Sequence, residues 1–192
     1  MEFDERKDKY LSALYKPDKS KKGSVDIRIK ELIDEINSKK DYVTTSSCSG
    51  RINLLQKDDD AKKYEANWLI VSHEKLNHKD IENVLKNLKH ISTIWFKMES
   101  PIIHVMARNL ESAQKLVDLA KKNSFKYSGI FVSKKDRFMV EIMGCEKIES
   151  LIAKEKILVD EEYIQIITEE ANKKLKKSHS NLDKFLEDIK EL

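Results

Sequence analysis

The sequence predicts an α+β domain in which helices cover a mixed β-sheet. Apolar residues recur at helical spacing in several segments, and short β-branched and aromatic runs typical of strands lie between them. Hairpin-like and crossover connections alternate along the chain, which favours α+β over a regular α/β arrangement. The four glycines are too scattered to form the glycine-rich turn of a doubly wound fold, so that fold is not expected.

Two amphipathic helices are predicted at the N-terminus. The apolar face of the first, which Pro17 ends, consists of Phe3, Tyr10, Leu11 and Leu14. The stripe of the second consists of Val25, Ile29, Leu32, Ile33 and Ile36. Ser24 is expected to cap this second helix, with Asp26 in its first turn.

The central part of the chain predicts strands around one helix. A strand from Tyr42 runs into the segment TTSSCSGR, and Ile52 and Leu54 continue as a second strand. An acidic run at Asp58 predicts a loop. The buried-strand pattern NWLIVSH covers residues 67–73, and a helix then carries Ile81, Val84, Leu85 and Leu88. Strands at residues 93–98 and 102–107 follow, separated by Pro101, and Trp68 and Trp95 are expected in the core.

The last third predicts a helix, a hairpin and a helical end. Asn109 caps a helix carried by Ala113, Leu116, Val117 and Ala120. Strands at residues 127–132 and 137–143 flank the turn SKKD. Residues 160–192 form a C-terminal helical region, in which Ser180 is expected to cap a short terminal helix.

Composition places the whole chain, residues 1–192, in one domain. With 192 residues and 40% hydrophobic residues it can bury one sizeable core, and no Pro/Gly/Ser-rich linker divides it. The net charge of +3 is too small to indicate nucleic acid by itself, although lysines cluster near residues 16–22 and 173–177. The N-terminus carries no apolar targeting segment and no stretch is long enough for a membrane span, so a cytoplasmic protein is expected.

The most informative segment is TTSSCSGR, residues 44–51. Five hydroxyls and a thiol precede Gly50, whose backbone freedom permits a close ligand approach, and Arg51 supplies a cationic fork for a carboxylate or phosphate. This pattern predicts a binding turn for a polar, partly anionic ligand. A nucleophilic role for Cys48 is the weaker alternative, because the spacing fits no known nucleophile template.

Other motifs are less specific. The segment DKSKKGSVD, residues 18–26, leads into a helix N-terminus that attracts anions, but it is not a Walker A loop. His73 and His104 lie in strand patterns without metal-binding spacing, and Cys48 and Cys145 form no CxxC pair, so no metal site and no disulfide are expected.

Five segments together resemble a known family. In their order and spacing DKSKKGSVD, TTSSCSGR, WLIVSH, ESPIIHV and SFKYSGI closely resemble the tRNA wybutosine-synthesis methyltransferases, the third enzyme of the wyosine pathway. The resemblance covers roughly residues 1–145. It implies methylation by S-adenosylmethionine of N4 of the tricyclic wyosine precursor, built on the guanosine beside the anticodon of phenylalanine tRNA. Which intermediate is methylated, and whether the protein self-associates, stay open.

The resemblance also implies roles for individual residues. His104, His73 and Glu99 are the catalytic candidates. The donor-binding candidates are Thr45, Ser47, Cys48, Ser49, Gly50 and Arg51. The substrate-binding candidates are Ser20, Lys22, Asp26, Ser128 and Gly129.

This chain departs from the family pattern in two places. Ser100 intervenes between Glu99 and Pro101, where members usually carry Glu-Pro, and Lys126 and Tyr127 stand where Arg and Glu are usual. Two other functional classes stay open: a non-catalytic tRNA-binding module that assists another enzyme of the pathway, and a hydrolase that uses Cys48.

Overall fold

The computed structural model describes residues 2–14, 25–57 and 66–192. Within them the helices are α1 (Phe3–Ala13), a short 3₁₀ helix (Ile27–Ile29), α2 (Lys30–Ser38), α3 (His78–Lys86), α4 (Leu110–Lys122) and α5 (Glu161–Lys190). The strands are β1 (Tyr42–Cys48), β2 (Arg51–Gln56), β3 (Asn67–Ser72), β4 (Ile94–Glu99), β5 (Ile102–Ala107), β6 (Gly129–Lys134), β7 (Arg137–Met143), β8 (Ile148–Lys154) and β9 (Lys156–Ile157).

The chain forms two compact units. The first unit contains Met1–Ser49, Pro101–Cys145 and Ser178–Leu192, and the second contains Gly50–Ser100 and Glu146–Lys177. Each unit is built on its own antiparallel sheet, with strand order β1-β5-β7-β6 in the first and β3-β2-β4-β8-β9 in the second.

The first-unit sheet is covered differently on its two faces. One face packs against α2, α4 and the end of α5, with a core that includes Ile33, Ile103, Leu116 and Phe185. On the opposite face Val43, Met106 and Met139 pack against α1 through Phe3 and Tyr10. The alternation of inward and outward side chains along each strand produces both faces.

The second-unit sheet has one apolar face. Ile52, Leu54, Phe96 and Met98 of its central strands are fully buried. They form a core with residues of α3 and of the first part of α5, among them Ile81, Leu85, Ile164, Ile167, Ala171 and Leu175. The remainder of α5 belongs to the first unit.

The α+β class and the absence of a doubly wound fold are confirmed. The strands differ from the single mixed sheet expected, because they pair in two sheets and every pairing among the described residues is antiparallel. The cap at Asn109 is confirmed, since its side chain accepts a hydrogen bond from the Ser112 N–H at 2.8 Å. The β6–β7 hairpin is confirmed as well, with Lys134 paired to Arg137. The single domain over residues 1–192 stays a prediction.

Three local predictions are wrong. Strands β8 and β9 were not expected, and Ser180 does not cap a terminal helix because α5 continues through it. No glycine or proline interrupts residues 161–192, so the helical spacing of apolar residues runs on without a break. Trp68 is 40% exposed rather than in the core, because β3 lies at an edge of its sheet, and Trp95 is half-buried. Pro17, Ser24 and the loop at Asp58 lie outside the described residues.

The described helices do not meet the requirements of a membrane span, because none of them is long and apolar enough to cross a bilayer.

Candidate functional site

The end of β1 is anchored in the first unit by a half-buried carboxylate. Ser49 is fully buried, and both its backbone N–H and its hydroxyl donate to Oδ2 of Asp26, at 2.8 and 3.1 Å. A carboxylate that accepts two hydrogen bonds fixes the path of the chain leaving β1. Asp26 therefore positions Ser49 within the TTSSCSGR segment. Cys48 is half-buried, and it forms no disulfide with Cys145.

In the second unit the segment continues with Gly50 and Arg51. Gly50 has φ of 87°, a conformation that other residues rarely adopt, which explains a glycine at this turn. Its carbonyl oxygen lies 2.9 Å from Nδ1 of His73, so the imidazole N–H fixes the peptide orientation. His73 is thereby brought to the glycine turn.

Arg51 is held between a carboxylate and an aromatic ring of the same unit. Its Nε donates to Oε2 of Glu99, and its guanidinium carbon lies 4.5 Å from the centre of the Trp68 ring. The same oxygen of Glu99 accepts a hydrogen bond from Asn53 Nδ2 at 3.2 Å. Asn53 is fully buried, and its Oδ1 has no hydrogen-bond partner within the described part of the chain. Glu99 thus orients Arg51.

His104 occupies a different setting, on the first-unit sheet. Four residues in register across the sheet, one from each strand, form what we call the His104 row: Ser46, His104, Glu141 and Gly129. Residues directly opposite each other in an antiparallel sheet share a face, so all four lie on one side of the sheet. The row adjoins Met106 and Met139, the apolar part of the same face that packs against α1.

The two ring nitrogens of His104 both have partners. Nε2 lies 2.9 Å from Oε2 of Glu141, and Nδ1 lies 2.8 Å from Oγ of Ser46. In neutral imidazole one nitrogen donates and the other accepts. Because a carboxylate only accepts, the proton belongs on Nε2, and Nδ1 then accepts the Ser46 hydroxyl hydrogen. The lone pair of His104 is thus directed towards an exposed serine.

The row is bordered by an exposed ring and an open position. Phe131 is 55% exposed, and its ring centre lies 5.1 Å from that of His104. A side chain added at Gly129 would meet no atom within 4 Å, so the space beside Glu141 is open. The hydroxyl of buried Ser128 donates to the Phe125 carbonyl at 2.7 Å and accepts the Met143 N–H at 3.1 Å. Ser128 thereby fixes the start of β6, next to Gly129.

The structure groups the predicted site residues in several places. Within the first unit it joins Asp26 to Ser49, and Thr45 Oγ1 lies 3.4 Å from the carbonyl oxygen of His104. Within the second unit it joins Gly50 to His73 and Arg51 to Glu99. Ser20 and Lys22 lie outside the described residues.

Comparison with known proteins identifies the family. The model of the family described as Methyltransferase TYW3 matches residues 5–191 of this chain. The chain belongs to the TYW3 methyltransferase family. This membership makes it an enzyme of the methyl-transferring class and confirms the resemblance carried by the five sequence segments.

Relatives of the TYW3 family match most of the chain. A Pyrococcus furiosus protein named tRNA(Phe) 7-((3-amino-3-carboxypropyl)-4-demethylwyosine(37)-N(4))-methyltransferase 1 is 40% identical, over 85% of this chain and 87% of its own length. A mouse protein named tRNA wybutosine-synthesizing protein 3 homolog is 35% identical, over 90% of this chain and 68% of its own. The solved structure of the PH1069 protein from Pyrococcus horikoshii is 36% identical, with a TM-score of 0.86 over 97% of this chain and 95% of that one.

Several residues of this TYW3 family member were missed by sequence reasoning. Glu141 was not singled out, and Ser46 was expected only as one hydroxyl of the binding segment, because the strand register that brings them to His104 is not visible in a sequence. Glu141 did carry a signal, because it is a charged residue with apolar neighbours on both sides in the strand RFMVEIM. Asn53 and Phe131 gave no comparable signal, since each fits an ordinary strand pattern.

Proposed function

We propose that this chain transfers a methyl group from S-adenosylmethionine to N4 of a tricyclic demethylwyosine base in phenylalanine tRNA. Three lines of support are the family membership, the name of the Pyrococcus furiosus relative, and the His104 row. The single observation that carries the mechanism is an imidazole fixed between the exposed Ser46 and Glu141. A tRNA substrate also favours a cytoplasmic location.

The row provides the group that removes the proton. Methylation of a ring N–H requires the loss of that proton, and a positioned base typically contributes about 10²- to 10⁴-fold in rate. Nδ1 of His104 accepts the proton through the Ser46 hydroxyl, and the imidazolium that forms is stabilised by Glu141 at 2.9 Å. His104 is therefore the catalytic base of the proposal, and Glu141 is a positioning residue.

The substrate base fits the borders of the row. A base that undergoes chemistry must leave its stack, which costs little in a single-stranded loop. The exposed Phe131 ring, centred 5.1 Å from that of His104, offers a stacking surface near the imidazole, and the open position at Gly129 leaves space for the part of the tricyclic base that lies away from N4. Ser128 contributes by holding β6, since its hydroxyl is engaged with the Phe125 carbonyl and the Met143 N–H.

Donor binding is assigned to residues 45–51. When bound, S-adenosylmethionine supplies the methyl group as an electrophile on sulfur. Hydroxyl side chains such as those of Thr45 and Ser47 suit the polar edges of this donor, and a guanidinium such as that of Arg51 suits its carboxylate. The unpartnered Oδ1 of buried Asn53 supports the assignment, because it is an acceptor for a hydroxyl or ammonium group.

Glu99 and His73 are assigned positioning roles in donor binding. Glu99 orients the Arg51 guanidinium, and His73 fixes the Gly50 carbonyl. Asp26 holds Ser49 in place by accepting hydrogen bonds from its backbone N–H and its hydroxyl. Each of these side chains is thus proposed to shape the donor-binding segment rather than to take the N4 proton.

The test is methylation of tRNA by the purified protein. The protein is incubated with S-adenosylmethionine and tRNA from a strain that lacks this gene, and the nucleosides are analysed by mass spectrometry. One added methyl on the tricyclic base supports the proposal. Binding of tRNA without methylation of any intermediate would contradict it and favour a tRNA-presenting module.

A further inference from the structure

A second feature of the first unit has no part in the site described so far. A cavity of about 420 Å³ lies between α1 and the sheet, and it is lined by Arg6, Lys9, Tyr10, Ala13, Met106 and Arg137. Three of the six lining residues are cations. The two from α1 stand against Arg137, which begins β7.

Among the described residues, 2–14, 25–57 and 66–192, the three cations of this cavity, Arg6, Lys9 and Arg137, have no ion-pair partner. Arg6 donates from Nη1 to the backbone carbonyl of Asp136 at 3.1 Å, which uses no acidic group. Three cations around a small cavity attract an anion, and the forked donors of the two arginines suit a phosphate.

The helix that carries two of these cations is fixed to the sheet. Asp4 of α1 accepts two hydrogen bonds from the Arg108 guanidinium, at 2.5 and 3.0 Å, and Arg108 also binds Asp41 at 2.7 Å. Hydrogen bonding to Arg108 holds the pKa of the Asp4 carboxyl below its usual value, so this tie persists at neutral pH. Asp4 and Asp41 are thus engaged with Arg108, and α1 presents its cations in a defined position.

The cavity adjoins the His104 row. Met106 of its wall lies two residues beyond His104 on β5, and Arg137 lies two residues before Met139, the cross-strand partner of Met106. Two residues along a strand span about 7 Å. The cationic cavity therefore neighbours, on the same face of one sheet, the place where the proposed function holds the target base.

We propose that this cavity binds the backbone phosphate and ribose of a tRNA nucleotide next to the target base. The inference rests on the proposed function for the choice of RNA as the ligand. The cations take the phosphate, and the Tyr10 ring and Met106 provide an apolar wall for the sugar. Its role is to fix the register of the anticodon loop, so that the flipped base meets His104.

The experiment measures tRNA binding over a range of salt concentrations. The double variant Lys9→Gln/Arg137→Gln removes two cations and keeps Arg6, so the hydrogen bond from α1 to Asp136 is preserved. The matched control is Lys115→Gln, an exposed lysine on α4, which packs on the opposite face of the sheet. Affinity for phenylalanine tRNA is determined by fluorescence anisotropy, and S-adenosylmethionine affinity is determined in parallel.

The double variant is expected to bind tRNA about tenfold more weakly near 0.1 M salt, with unchanged donor affinity. The slope of log affinity against log salt is expected to become shallower by about 0.7 to 0.9 for each phosphate that the variant no longer neutralises. Lys9→Arg should keep wild-type affinity. A double variant that remains folded by circular dichroism and has the slope of Lys115→Gln would overturn the inference.

Two further arms separate this inference from the proposed function. Binding of an unmodified tRNA transcript is compared with binding of the modified substrate. A loss of affinity confined to the modified tRNA would mean that the cavity binds the carboxylate of the modified base, which would overturn the phosphate assignment. Because the readout is binding, a wild-type protein that transfers no methyl would refute the proposed function while a shallower slope still supports the cavity. Methylation by the wild-type protein, together with an unchanged salt slope in the double variant, would support the proposed function and refute phosphate binding in the cavity.

Discussion

His104 and Glu141 are directly opposite each other on β5 and β7, with Nε2 of the imidazole 2.9 Å from a carboxylate oxygen. Ser46 stands on the other side of His104 in the same row. The imidazole is therefore held at both nitrogens by side chains from two different strands. Such a clamp fixes the tautomer of a base before its substrate arrives.

The first prediction concerns Glu141. The Glu141→Gln change keeps a hydrogen-bond acceptor for Nε2 but removes the negative charge that stabilises the imidazolium. We expect kcat to fall about tenfold with little change in KM for tRNA, and the pH profile of kcat to move to lower pH. Steady-state kinetics between pH 5 and 9 provide the measurement. Glu149→Gln on β8 is the matched control, and equal pH profiles for the two variants would refute the assigned role.

The second prediction concerns the open position at Gly129. A leucine there fills the space beside Glu141 without meeting protein atoms at its Cβ, so the fold should tolerate it. We expect Gly129→Leu to lower kcat/KM at least about 100-fold by excluding the base, with Gly129→Ala in between. The urea midpoint should stay near that of wild type. Full activity in Gly129→Leu would show that the substrate does not approach this position.

The third prediction concerns the anchor of the β1 end. Asp26→Ala leaves the buried N–H and hydroxyl of Ser49 without their acceptor, which should cost about 2 kcal/mol in the free energy of unfolding. Asp26→Asn keeps one acceptor oxygen and should cost less. Urea denaturation followed by circular dichroism measures both. Equal midpoints for wild type and Asp26→Ala would contradict a structural tie at this position.

The fourth prediction follows from Glu146 in the second unit. Its carboxylate accepts hydrogen bonds from Lys177 and Lys174, which hold the pKa of Glu146 below its usual value of 4.5. A lowered folded-state pKa stabilises the fold above pH 4.5, and this contribution is lost as pH falls through the folded-state value. Glu146→Gln should therefore be less stable than wild type by up to about 1 kcal/mol at pH 7, since partial exposure screens the pair.

The difference between Glu146→Gln and wild type should shrink below pH 4.5, because the wild-type carboxyl then becomes neutral as well. Urea midpoints at pH 7, 5 and 3.5 measure it, with Glu191→Gln, an exposed carboxylate near the chain end, as the control. A gap that stays constant over this range would mean that the two lysines do not stabilise the charged form.

Local sequence patterns predicted much of the secondary structure. The strands Ile102–Ala107 and Arg137–Met143 and the cap at Asn109 agree with the structure, because alternation and capping are local signals. Strand β8 was missed since IESLIAK carries no clear alternation and lies beside a long helical segment. The sequence predicted two helices where α5 is continuous, because Ser180 has the side chain of a helix cap. Packing of Leu182 and Phe185 keeps the chain helical through Ser180.

The site was harder to predict than the fold elements. His104 was singled out by its segment, but its partners depend on strand register, and Glu141 is 37 residues away in sequence. Trp68 was expected in the core because sequence does not reveal that β3 is an edge strand, where Arg51 stacks on the ring. The cavity cations came from α1 and β7, and no pattern links these two segments before they fold.

Single-turnover methyl transfer by His104→Gln is the most direct test of His104 as the catalytic base. Preformed complexes of the variant and of wild type with modified tRNA are mixed with S-adenosylmethionine, and product nucleosides are measured by mass spectrometry over time, with His90→Gln as the exposed-histidine control. We expect a rate constant about 10²- to 10⁴-fold lower for His104→Gln, with tRNA and donor affinities retained. A rate constant equal to that of wild type would contradict His104 as the base.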